Sequence, residues 1–148
     1  MPHFRLMDEN ALGPEKAAFQ RARLHIRGGR RRLRQGKISA GILTLYDALV
    51  FGMEWYAAVP DRRNGLKIVE GEDLRNDKTL YTVLVRSGII DGLFDYNAFD
   101  SLVEYASNHE MPDFDYGRLL VSIEAIMTQL GIMPFDENEL PPEDPSTY

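Results

Sequence analysis

Residues 38–58 read ISAGILTLYDALVFGMEWYAA, and this stretch decides the fold. Its apolar side chains cover nearly the whole circumference of a helix: Ile38, Ile42, Leu43, Leu45, Tyr46, Leu49, Val50, Phe51, Met53, Trp55 and Tyr56. A helix that is apolar all round belongs in the centre of a bundle or at an interface between subunits. At 1.5 Å per residue it is about 31 Å long. Asp47 and Glu54 make it too polar for a membrane span, and the chain nowhere holds about 18 consecutive uncharged apolar residues. Pro60 closes it.

The stretch before it is also helical. From Pro14 to about Gln35, Phe19, Ala22, Ile26, Gly29 and Leu33 step by three and four and form one seam. Pro14 suits the first turn, where its missing N–H is not needed. Continuing the step reaches Gly36 and Ala40, and the small residues on this seam allow a second helix to come close. Gly28 and Gly29 each cost about 1 kcal/mol relative to Ala inside a helix, so they mark a kink or a close crossing. Gly36 ends the helix. Residues 1–13 carry no sustained period and are expected to form a mobile arm.

Beyond the central helix, residues 60–72 read as a loop, with a turn at Arg63-Asn64-Gly65 and a short extended piece at 66–69. Asp73 or Asn76 can cap a helix that runs to Ser87 and stops at Gly88. Leu80, Val83 and Leu84 form its apolar face. Two more helices open alike, with Phe94-Asp95-Tyr96 and Phe114-Asp115-Tyr116. In each, Asp suits the N-cap and the preceding Phe can staple onto Phe99 or Leu119. Phe99, Leu102, Val103 and Ala106 face the core from the first. Leu119, Leu120, Ile123, Ile126, Met127 and Leu130 do so from the second, which Gly131 stops. The last stretch, PFDENELPPEDPSTY, is acidic and rich in Pro. Asp136 and Glu139 can box a single turn, Phe135 is expected to dock, and the end is expected to be loose. Five helices with short connections predict an all-α, up-and-down antiparallel bundle with its two long helices first. Residues 14–131 form the one domain, flanked by the arm at 1–13 and the acidic tail at 132–148.

The chain has 148 residues, 44% of them hydrophobic and 27% charged, which excludes wholesale disorder. It has no Cys, which excludes disulfides, thiol catalysis and Cys-ligated zinc and fits a cytoplasmic location. MPHFRLMDEN lacks a basic region followed by an apolar one, so no signal peptide is expected. The net charge of −6 hides a polarity. Residues 1–58 hold 10 basic and 5 acidic side chains, whereas residues 91–148 hold one basic residue, Arg118, and 13 acidic ones.

The basic side chains gather at Arg21, Arg23, Arg27, Arg30, Arg31, Arg32, Arg34 and Lys37, with no acid among them. On a helix, Arg23, Arg27, Arg30 and Arg34 form one stripe beside the apolar seam. Arg27, Arg30, Arg31 and Arg34 are therefore the candidate contacts to phosphate or nucleic acid, because the guanidinium fork matches phosphate oxygens. Against this, the sequence pI is about 5.1 and dedicated binders are basic. The alternative is a solvated face, or one paired with the acidic helices after Asp91. Asp47 and Glu54, seven residues apart, share a helix face. They are candidates for an acid/base pair, or for buried ion pairs with the first helix, and Trp55 for a pocket wall. His3, His25 and His109 show no metal-ligand spacing, and no nucleophile elbow or phosphate loop appears. No metal, no cofactor and no catalytic residue is assigned.

With its polar first helix, then GKISAG, then LYDAL and an apolar helix, the stretch 14–58 resembles a HEPN domain. That resemblance implies two long antiparallel helices followed by shorter ones, and a homodimer. Ribonuclease members of that family carry an Arg followed by His after four to six residues on a late helix. Here Arg21 and His25 are separated by three residues on the first helix, and His109 has no Arg shortly before it. The resemblance therefore implies a catalytically silent member. The expected function is a non-catalytic interaction or ligand-binding module, homodimeric through its first two helices, with a protein partner and no membrane. The alternative is a nucleic-acid or nucleotide-binding protein using the Arg-rich helix, and after that an enzyme built on Asp47 or Glu54.

Overall fold

The computed structural model describes residues 13–147 and is all-helical over that range. Two long helices come first, α1 (Pro14–Arg34) and α2 (Ile38–Ala58). A short α3 (Pro60–Arg63) follows, then α4 (Asp77–Arg86), α5 (Tyr96–Ala106) and α6 (Gly117–Leu130). Single 3₁₀ turns lie at Glu137–Glu139 and Pro145–Thr147. The expected arm falls on residues outside the described range, apart from Gly13. The expected extended piece at 66–69 is an irregular segment without strand pairing.

Gly28 and Gly29 mark a close crossing. A Cβ on Gly29 would stand 2.8 Å from Leu45 Cδ2, and one on Gly41 would stand 2.6 Å from Leu33 Cδ2. Contacts 29–45 and 33–41 run in opposite senses along the two helices, so α1 and α2 form an antiparallel hairpin. Gly36, at φ 78, makes the turn between them. The seam predicted on α1 is its packing face, with Ala22, Ile26, Gly29 and Leu33 buried.

Helix α2 occupies the centre. Ile42, Leu45, Ala48, Leu49 and Met53 are wholly buried. Helix α5 crosses it antiparallel, with Tyr46 near Phe99 and Ser39 donating a hydrogen bond to the His109 carbonyl. Helix α6 lies along it, with Met127 and Leu130 filling the notch at Gly52. Helices α1, α5 and α6 thus pack around α2, with α1 and α5 antiparallel to it. Ile132, just past the αL stop at Gly131, is the last wholly buried side chain.

Two local expectations shift. Pro60 ends α2 but also occupies the first turn of α3, so part of the expected loop is helical. Asp95 caps α5 by accepting from Ala98 N, whereas Asp115 accepts from Gly117 N and α6 starts from Tyr116 with no side-chain cap. Asn76 is the cap of α4, accepting from Thr79 N. Among the described residues, no helix is long and apolar enough to cross a membrane.

Candidate functional site

The arginines of α1 meet the chain where it returns after α6. Arg23 Nε donates to the Ile132 carbonyl at 3.0 Å. Its guanidinium lies over the Phe19 ring at 4.2 Å and faces Phe135 at 5.2 Å. Arg30, two turns further on, faces the same Phe135 ring at 5.8 Å. Phe135 is therefore held between two guanidinium groups, each attracted to the negative face of the ring. Arg30 also pairs with Glu124 of α6 at 2.6 Å and with Glu137 at 3.4 Å. Glu143 bridges Arg27 at 3.2 Å and Arg31 at 2.5 Å. The side chains of Arg27, Arg31 and Glu143 are only 11%, 12% and 14% exposed. These are shielded pairs rather than loose surface contacts, so solvent screens them less.

Arg27, Arg30 and Arg31 thus come together on one face, and an acidic segment of the same chain covers them. Arg34 does not join them and stands exposed at the end of the helix, as does Lys37. The pairing with acidic residues after Asp91 was legible as an alternative. The particular partners Glu124, Glu137 and Glu143 were not. The expected loose end is corrected: residues 135–143 lie against α1, and Asp136 caps the turn by accepting from Asn138 N.

The structure places Asp47 and Glu54 on the outer side of α2. Both are exposed, and among the described residues no polar or charged side chain is buried. An apolar coat on every side of α2 gives no sign of which face is outermost, and the carboxylates take it. Glu54 borders an open cleft of about 400 Å³, shared with Ala57, Ala58, Arg63, Asp73, Leu74, Arg75 and Leu80. Partial burial of the carboxyl at that wall raises its pKa, with Arg21 acting against the shift and Asp77 adding to it. Trp55 does not line this cleft. Its ring packs on Phe19 at 4.9 Å, and the Arg62 guanidinium covers it at 4.0 Å. Arg62 also donates to the carbonyls of Trp55 and Tyr56, at 2.7 and 2.8 Å. It caps the end of α2, where terminal carbonyls lack helical partners.

A second polar cluster escaped the sequence reading. Tyr46 and Tyr96 both donate to Asp77 Oδ2, at 3.0 and 2.6 Å. Burial and this hydrogen bond push the Tyr46 hydroxyl up to about 12 and raise Tyr96 as well. Both phenols stay protonated as donors, which fits a structural clasp between α2, α4 and α5. Tyr96 also lies 4.7 Å from the ring of Tyr81. His25 accompanies the arginines on α1, its Nδ1 2.7 Å from the Arg21 carbonyl and its ring 5.0 Å from Phe51. His109 stacks on Tyr105 at 4.0 Å. Among the described residues no cluster of His, Asp and Glu could hold a metal ion. Comparison with protein-family models, curated proteins and solved structures gives no match.

Proposed function

We propose that the chain is a non-catalytic helical interaction module of HEPN-like design, working in the cytoplasm as a homodimer, with the arginine face of α1 as its recognition surface. One observation carries this reading. That face grips a chain segment by three kinds of contact at once: a backbone carbonyl on Arg23, an aromatic ring between Arg23 and Arg30, and carboxylates on Arg27, Arg30 and Arg31. Carbonyl, ring and acid are what a peptide presents. The order of elements, with two long packed helices followed by shorter ones, supports the HEPN-like part.

The small-residue seam and the apolar α2, which suggested a dimer through the first two helices, are both used within one chain. The proposed dimer therefore pairs through other surface. Large apolar side chains exposed outside the seam include Leu93 at 88% and Val121 at 69%.

A nucleic-acid reading has one observation in its favour. Arg34 and Lys37 continue the basic stripe, exposed, past the covered arginines. Size-exclusion chromatography with light scattering separates the two, with absorbance recorded at 260 and 280 nm. The module reading expects a dimer at micromolar concentration with a protein-like absorbance ratio. A monomer removes the dimer. A raised ratio that falls with salt replaces the module reading with the nucleic-acid one.

A further inference from the structure

We infer that the groove on α1 is built to take an acidic, proline-flanked segment with a leading aromatic from a partner protein, and that residues 135–143 of this chain are its resident competitor. The inference rests on the module reading and adds the partner's chemistry and the means of control.

The first support is that the resident segment lies outside the closed core. The core closes at Ile132, which is wholly buried. From 133 to 146 no residue is buried. The segment can therefore lift off α1 without opening the core. What it loses is the Phe135 ring's seat on the outside of the core and between two guanidinium groups, and three ion pairs.

The second support is the register. The ring of Phe135 fits between Arg23 and Arg30, which stand two helical turns apart, about 10 Å. Two residues on, Glu137 reaches Arg30, and eight residues on, Glu143 reaches Arg27 and Arg31. Pro141 and Pro142 lie between the two acids. Proline stiffens that stretch, so less freedom is lost on binding. The groove thus selects an aromatic, an acid at +2 and an acid at +8, with prolines before the second acid. A ring-free polyanion such as polyphosphate could supply the charges but not the ring, whereas single-stranded RNA, whose bases stack on guanidinium groups, is the competing ligand that the test below includes.

Control follows from tethering. A segment joined by two residues to Ile132 faces its groove at an effective concentration on the order of millimolar. A partner segment of equal intrinsic affinity therefore binds the intact chain weakly, and strongly once the resident segment is disabled.

The test uses the full chain and a fluorescein-labelled peptide of sequence PFDENELPPED, read by fluorescence anisotropy. In the triple variant Phe135→Ala/Glu137→Gln/Glu143→Gln, the peptide should bind at least tenfold more tightly than in the unaltered chain. Glu143→Gln alone, which removes only the charge on Arg27 and Arg31, should give a smaller gain. Adding Arg30→Glu to the triple variant should abolish binding, with the far-UV circular dichroism unchanged. Equal affinity for the unaltered chain and the triple variant overturns the inference. So does a triple variant that binds a 20-nucleotide single-stranded RNA but not the peptide. If the peptide fails while light scattering still shows a dimer, only this inference falls. If the protein is also monomeric, the module reading falls with it.

Discussion

Gly41→Ala tests the tightest point in the bundle. A methyl group there would stand 2.6 and 2.7 Å from Leu33 Cδ2 and Cγ, and 3.2 Å from the Leu33 backbone nitrogen. Carbon atoms in contact settle at about 3.5–4.0 Å, so the overlap is close to 1 Å. Leu33 is 2% exposed and has nowhere to swing. Its backbone nitrogen moves only if α1 and α2 part. Overpacking of this kind costs about 1–3 kcal/mol, and replacing a helical glycine by alanine returns about 1 kcal/mol. The net expectation is a loss of up to about 2 kcal/mol. Gly28→Ala is the internal control, because it carries the same propensity gain without the obstruction. Its methyl would meet only the far end of Arg32, at 2.9 Å, and Thr44 Cγ2 at an ordinary 3.7 Å. It should be neutral or more stable by up to about 1 kcal/mol. The two variants should differ by about 2 kcal/mol, which separates their urea midpoints by about 1 M for a domain of this size. A Gly41→Ala variant as stable as the parent would refute the close crossing. So would a Gly28→Ala variant that falls as far.

Tyr96→Phe removes the 2.6 Å donor to Asp77 and leaves Tyr46 as the other phenol donor to that carboxylate. A loss of about 1–2 kcal/mol in urea unfolding is expected, and no loss would mean the clasp contributes nothing. His25 has its pKa lowered from 6.5, first by burial, with Arg32 and Arg21 adding to the shift and the Arg21 carbonyl opposing it. The folded chain therefore binds fewer protons there than the unfolded one. Its contribution is full above pH 6.5 and is lost as pH falls through the lower folded value. His25→Gln should flatten the dependence of the urea midpoint on pH below 6.5, and an unchanged slope would count against a desolvated, neutral ring. Phe135→Ala should free the segment after Ile132 and speed cleavage by a glutamate-specific protease there by roughly tenfold, the equivalent of about 1.4 kcal/mol of docking. Unaltered cleavage would show that the ring does not hold it.

Helical periodicity carried the fold because it is local. The seam from Ala22 to Leu33, the stop at Gly131 and the cap at Asp95 each depend on a few neighbouring residues, and each is where the sequence places it. Asp115 shows the limit. The same Phe-Asp-Tyr start signal serves a turn, because its carboxylate takes Gly117 N and the helix begins later. On α2 periodicity fails for the opposite reason. With apolar residues all round, the pattern points nowhere, so the exposed positions of Asp47 and Glu54 were not readable. The arginine stripe was legible as charge, and even its pairing with later acids was foreseeable by sign. Which acids pair depends on the direction the chain takes after Gly131, and that is fixed by Ile132 entering the core. Arg62 gave no signal at all, since its role needs the end of α2 and the turn of α3 in place first.

The charge polarity of the chain has a physical consequence at this face. Eight basic residues in one helix segment of an acidic protein would attract any polyanion at long range. Glu124, Glu137 and Glu143 neutralise the middle of that segment at close range. Because these pairs are mostly shielded, physiological salt weakens attraction at a distance more than it weakens them. What remains after screening is the geometry: the slot for a ring between Arg23 and Arg30, and the carbonyl bound by Arg23. A ligand that offers charge alone must displace carboxylates while leaving that slot empty. A segment that offers ring and acids together replaces the contacts of residues 135–143, while the Ile132 carbonyl stays on Arg23. The face therefore holds the chain's own segment by shape in addition to charge.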